Sequence, residues 1–259
     1  MLPLSSGSCG NSFYFEFGET RLLVDVGIPP DDAEARLAEI RVPISALNAA
    51  FITHEHADHV SGLEGLLKRH PMPVFMSPKI GRLQKKLADQ EFTTFPLQAN
   101  SRIPLGEVLV TPFPLPHDAA APFGFLFQYR DFKAVCCTDL GHASSAVREA
   151  MNGVNLAVIE SNHDPVMLQA GPYPDYLKKR VASRIGHLSN QQTGELLATM
   201  KLNGGGPVVT YLAHLSEINN TPDLAMETVG GMLKSARREA RFELRLAPRA
   251  APGQLFQSP

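Results

Sequence analysis

The chain has 259 residues, 44% of them hydrophobic, with 24 Lys and Arg against 26 Asp and Glu. That length can hold one sizeable core or two fused halves, and the near-neutral balance argues against a strongly basic nucleic-acid binder without limiting small substrates. Three cysteines, no basic-then-apolar leader and no membrane-length apolar run leave a soluble protein of a reducing, cytoplasmic setting, with no membrane partner, as the expectation.

Residues 5–12, Ser-Ser-Gly-Ser-Cys-Gly-Asn-Ser, form a small-residue loop whose backbone N–H groups and hydroxyls could meet an anion. Residues 13–17 and 21–25 read as two strands of a hairpin turned at Gly18. Asp25 closes the second strand, and residues 32–40 read as an amphipathic helix after Pro29 and Pro30. The apolar run 49–52 reads as a buried strand, and a helix is expected from His59 onward. Between them lies Thr53-His54-Glu55-His56-Ala57-Asp58-His59. Three histidines and an aspartate on one turn each need a partner, and imidazole nitrogen with carboxylate oxygen suits zinc, manganese or iron.

HxHxDH after an apolar strand resembles the signature of the metallo-β-lactamase fold, specifically its two-metal hydrolases. Matches outside this motif resemble the branch of YycJ/WalJ-type exonucleases, and the likeness runs from Ser5 to about Asn220. It implies an α/β protein with the αββα four-layer arrangement, two mixed sheets flanked by helices. One domain over residues 1–246 is expected, followed by a mobile Pro-rich tail over 247–259. The resemblance further implies that Asp25 braces the metal loop, and that the opening loop lies beside the site, with Ser8 and Asn11 at the substrate. Cys9 stands where that branch more usually has serine.

Further on, residues 73–77 read as a strand and 78–88 as a helix carrying Lys79, Arg82, Lys85 and Lys86. His70 fits a helix end, where its charge meets the dipole. Strand 107–113 leads to His117, a third histidine at the distance the resemblance requires, with Pro114 and Pro116 restricting the backbone around it. A second hairpin over 123–129 and 132–138 ends at Asp139. By sequence alone that aspartate is an ordinary turn residue; the resemblance makes it a carboxylate shared by two cations.

Residues 155–159 form a buried strand running into Glu160-Ser161-Asn162-His163-Asp164. By resemblance, Glu160 hydrogen-bonds within the site, while Asn162 and His163 contact the substrate. A basic helix is expected over 173–184, followed by Gly186-His187-Leu188-Ser189-Asn190 and a helix over 191–200 capped by Ser189 or Asn190. Strand 207–212 delivers His214, and Asn219 joins the substrate set. His187 and His214 compete for one ligand position. Strand-end placement favours His214 for metal and leaves His187 for acid chemistry. The late basic run (Lys234, Arg237, Arg238, Arg241, Arg245, Arg249) reads as a solvated helix face more readily than as a phosphate stripe.

The expected ligands are therefore His54, His56, Asp58, His59, His117, Asp139 and His214, holding two divalent ions, with Asp58, His187 and His163 as catalytic groups. The resemblance implies a dinuclear phosphodiesterase, foremost a YycJ-like 5′→3′ DNA exonuclease whose nucleophile is a hydroxide between the cations. A glutathione thioesterase of this fold carries an extra C-terminal helical domain, and His56 stands where flavodiiron oxidoreductases have glutamate. The alternatives are a small cyclic phosphodiesterase of the phosphonate-metabolism type and a catalytically dead binding module. The module is disfavoured by a complete ligand set.

Overall fold

The computed structural model describes residues 1–258. Two compact units emerge where the sequence reading has one domain: Met1–Pro112, Ala119–Phe123 and the residues from Ala247 on in the first, Phe113–Asp118 and Gly124–Leu246 in the second. The class is α/β, with two mixed sheets flanked by helices.

In the first unit six strands follow one another in sheet order: β1 (Leu2–Ser5), β2 (Ser12–Phe17), β3 (Thr20–Val24), β4 (Ala49–Phe51), β5 (Val74–Met76) and β6 (Thr94–Pro96). β1 to β3 pair antiparallel and β3 to β6 parallel, so β3 and β4 release their C-terminal ends at the same edge. Its helices are α1 (Pro30–Ala38), α2 (Ala57–Val60), α3 (Leu63–Arg69) and α4 (Gly81–Ala88). The helix expected from His59 is broken into α2 and α3, because Gly62 donates its N–H to Val26 O at 2.9 Å and lies against Ile28 O, where no side chain fits. Leu23, Ala50, Ile52, Leu63, Leu66, Leu67 and Val74 form its apolar centre, all fully buried.

The second sheet has the order β13-β12-β11-β10-β9-β8-β7. Its strands are β7 (Ile103–Leu105), β8 (Val108–Pro114), β9 (Phe123–Tyr129), β10 (Phe132–Cys137), β11 (Leu156–Glu160), β12 (Val208–Ala213) and β13 (Phe242–Leu246). β10 to β13 are parallel, and their register aligns Cys137 with Ile159 and Ile159 with Leu212. Helices α5 (Ser145–Met151), α6 (Pro165–Ala170), α7 (Asp175–Val181), α8 (Asn190–Thr199) and α9 (Pro222–Ser235) belong to this unit. α7 is shorter than the helix expected over 173–184. The Ser189 side chain caps α8 in a reciprocal box with Gln192, as the sequence reading has it.

Two segments depart from expectation. Past Ala247 the chain is tied to β1: Pro248 O accepts from Ser6 N at 2.9 Å and Pro3 O from Gly253 N at 2.8 Å, while Met1 and Phe256 exchange two 2.9 Å bonds. The carbonyls and N–H groups of this Pro-rich segment thus find partners along an edge strand. Part of the late basic run is not a solvated helix face. Arg238 donates to the carbonyls of Leu197, Ala198 and Met200, neutralising the C-terminal end of α8, and Arg241 does the same for the turn at Asn203. Among the described residues no helix is long and apolar enough to cross a membrane.

Candidate active site

In the first unit, the parallel pairing of Val24 with Phe51 brings Asp25 beside the start of the His-rich loop. Asp25 is fully buried at φ 60°, a left-handed conformation that costs a non-glycine residue about 1–2 kcal/mol. The turn aims its carboxylate into the loop, where Oδ1 accepts from Thr53 N at 2.8 Å and Oδ2 from the Thr53 hydroxyl at 2.8 Å. His59 Nδ1 lies 2.7 Å from Asp25 Oδ2 and donates to it. Burial pushes the Asp25 carboxyl up, and His59 and Thr53 oppose that rise.

These bonds decide the tautomers. Since the Thr53 hydroxyl proton goes to Asp25, its oxygen accepts from His54 Nδ1 at 2.9 Å, leaving the lone pair on His54 Nε2. That atom faces His56 Nδ1 at 3.0 Å. His59 likewise keeps its lone pair on Nε2, which accepts from the Asn11 amide at 3.1 Å. Asn11 also donates to Asp58 Oδ2 at 3.1 Å and takes Gly7 N at 2.9 Å.

In the second unit, the strand register does the positioning. With Cys137, Ile159 and Leu212 abreast, Asp139, Glu160 and His214 all leave the sheet at the C-terminal ends of parallel strands. Asp139 (φ 61°) and His214 (φ 54°) both turn through the left-handed region immediately beyond their strands. Glu160 is the hub. Its Oε1 accepts from His187 Nδ1 and from His214 Nδ1, each at 2.8 Å, and its Oε2 takes Leu140 N at 3.0 Å and Leu188 N at 2.9 Å. Asp139 Oδ1 lies 3.3 Å from His214 Nδ1 and 3.6 Å from His187 Nδ1. His117 donates Nδ1 to Gly186 O at 3.0 Å, so its Nε2 also keeps the lone pair.

Burial alone would raise the Glu160 carboxyl, but the His187 charge and the two imidazole hydrogen bonds hold it below the usual carboxylate range. The imidazole of His187 shows the converse. Burial lowers it, yet Glu160 and Asp139 together carry it above its ordinary value. Burial wins at His117, whose pKa falls, and at His163, which is brought down to about 4.

A protein-family model described as "Beta-lactamase superfamily domain" matches residues 20–215, well over half of the chain. The chain belongs to the beta-lactamase superfamily. Among curated relatives it is 33% identical to Exodeoxyribonuclease YycJ of Bacillus anthracis, over 89% of this chain and 88% of that protein. It is 34% identical to Exodeoxyribonuclease WalJ of Streptococcus pneumoniae, over 90% and 87% respectively. Of solved structures, YhfI from Bacillus subtilis, a metallo-beta-lactamase fold protein, matches with TM-score 0.71 and 18% identity over 97% of each chain. Zinc-bound PqqB from Methylobacterium extorquens matches with TM-score 0.72 and 16% identity, over 98% of this chain and all of that one.

The donor chemistry of this superfamily member fits divalent cations. His54, His117 and His214 each have Nδ1 engaged by a protein acceptor, which leaves the lone pair on Nε2, and His59 Nδ1 is held by Asp25. That pattern orients imidazoles as metal ligands, and Asp139 and Asp58 add carboxylate oxygens. Within the second unit, Asp139, Glu160, His187 and His214 offer ligand atoms within 4.8 Å of one another. All four hydrogen bonds to the Glu160 carboxylate come from N–H groups, which suits it to orienting ligands better than to binding metal itself.

Four expected site residues are buried. Asn11 is fully buried with its amide committed to Gly7, Asp58 and His59, so it braces the metal loop where the sequence reading puts it at the substrate. Asn162 is buried and donates to His214 O at 2.8 Å, steadying a ligand-bearing turn. Asn219 is 1% exposed. His163 is 3% exposed and, with a pKa near 4, has no proton to give at neutral pH. Ser8 alone of the substrate set is exposed. Glu160 is stronger than its sequence signal, because a glutamate closing an apolar strand does not announce that two distant histidines will share it.

Proposed function

We propose that this chain is a metal-dependent exodeoxyribonuclease that shortens DNA from the 5′ end. The observation that carries the reading is the Glu160 carboxylate accepting from His187 and His214 together, in a chain matched over about nine tenths of its length by relatives named exodeoxyribonucleases. One imidazole of that pair suits a metal, and the other, one-fifth exposed, suits a proton transfer.

In this reading His54, His56, Asp58, His59, His117, Asp139 and His214 would hold two divalent cations. Zinc, manganese and iron all accept such donors. When bound, the ions supply Lewis-acid activation of a water and of the scissile phosphate. The chain's own groups do the rest. Asp25 holds His59 at Nδ1, the nitrogen that would face away from a cation. Asn11 fixes Asp58. Glu160 holds His214 in its ligand tautomer and raises the proton affinity of His187, which suits that imidazole to donating a proton to the departing alkoxide.

The test is 3′-labelled DNA incubated with the purified chain and manganese. A ladder of progressively shorter labelled fragments is expected, abolished by chelator. Hydrolysis confined to small cyclic diesters overturns the exonuclease reading.

A further inference from the structure

We infer that the outer face of α7 and the loop behind it form a track for single-stranded DNA leading to His187. This rests on the exonuclease reading and adds the strand form of its substrate. Tyr176, Lys179 and Arg180 stand at positions i, i+3 and i+4 of α7 and share one face of the helix. Arg180 Nε lies 2.5 Å from Asp118 Oδ2, so that face lies beside the loop carrying His117.

From Ala182 the chain runs to His187 with its backbone fastened at three points. Arg184 O accepts from His142 Nδ1 at 2.8 Å, Ile185 O from Asp118 N at 3.0 Å and Gly186 O from His117 Nδ1 at 3.0 Å. The inward side is closely packed, since a Cβ on Gly141 would lie 2.3 Å from the Arg184 carbonyl carbon. The side chains of Arg184 and Ile185 are left outside, three and two residues ahead of His187.

Two large apolar side chains here face water, Tyr176 at 74% and Ile185 at 52% exposure. Lys179 and Arg184 are exposed beside them and have no acidic partner among the described residues. Two exposed cations in one stretch with a flat exposed ring and an exposed isoleucine match the needs of a single strand. The cations meet phosphates, and unstacked bases cover the ring and the isoleucine. In a duplex the base faces are stacked inside and cannot reach the ring.

The experiment measures binding without cleavage. Fluorescence anisotropy of a labelled oligothymidylate is followed with the full chain in EDTA across a potassium chloride series. Tyr176→Ala should weaken binding about tenfold, within the span for loss of one stacked base, and Tyr176→Phe should restore it. Lys179→Ala with Arg184→Ala should lower the salt slope by about 1.4, roughly 0.7 for each phosphate of a single strand that is no longer neutralised. All variants should melt with the wild type, since the altered side chains are exposed. Unchanged affinity in Tyr176→Ala together with an unchanged slope in the double variant overturns the track. If the same wild-type sample still degrades DNA with manganese, the exonuclease reading survives that result. A wild type that degrades no DNA overturns both.

Discussion

Two residues of like type, His187 and His214, are anchored on one Glu160 oxygen and still differ in their surroundings. His214 is 5% exposed and leaves its strand end in a left-handed turn, whereas His187 lies on a loop with one-fifth of its side chain open. His187→Ala should keep both metals and slow turnover by about 100- to 10,000-fold, the usual span for losing a general acid. Asp139→Ala should lose at least one metal and nearly all activity. Elemental analysis beside rate measurements separates the two outcomes, and metal loss on changing His187 would reverse the assignment. His163 provides a pH prediction on the metal-free protein. Held near pKa 4 by burial against an ordinary 6.5, it takes up a proton in the unfolded chain first. Stability should therefore fall as pH drops from 6.5 toward 4, by about 3 kcal/mol from this group. His163→Asn should flatten that part of the melting-temperature profile. The histidines of the HxHxDH turn are legible in the sequence because they crowd one short stretch. The duties of Asn11 and Glu160 are not, because each is set by partners dozens of residues away.

At the level of elements, strands and their ends carry most of what is readable. Alternating and continuous apolar runs mark β2 to β5 and β8 to β12, and His117, Asp139 and His214 follow strand ends. β1 and β13 escape the pattern: Leu2–Ser5 is too short to show a period, and Phe242–Leu246 lies inside the basic run that masks it. The break between α2 and α3 is also hidden, since it comes from the crossing of two loops. That crossing makes a sharp prediction at Gly27. A Cβ there would stand 1.8 Å from Asp58 O and 2.7 Å from Asn11 N, two atoms that already share a 2.7 Å hydrogen bond. Gly27→Ala should lower the melting temperature and release metal from the first-unit ligands. Gly81→Ala is the control, because nothing lies within 4 Å of its added methyl. Retained metal in Gly27→Ala would show that the loops can part without disturbing Asp58 and His59.

For the whole molecule, composition sets the right class and does not show the bonds made by the residues past Ala247. Proline and small residues suggest slack, yet Pro248, Arg249, Ala250, Gly253 and Phe256 all bond to β1, to α1 or to residues flanking them. Arginine cations that look free to meet phosphate are spent on carbonyls at the end of α8 and in the turn after it. Lys179 and Arg184, by contrast, stay open to solvent.

Met1 and Phe256 bond to each other through both their backbone groups. The two extremities can thus be sewn together by a short peptide, and the ring reopened at the exposed Gly204–Gly205 bend, where Gly204 has nothing around it. Such a circular permutant should fold and melt within a few degrees of the original; a collapse in expression or melting would mean that the seam near Phe256 depends on free ends.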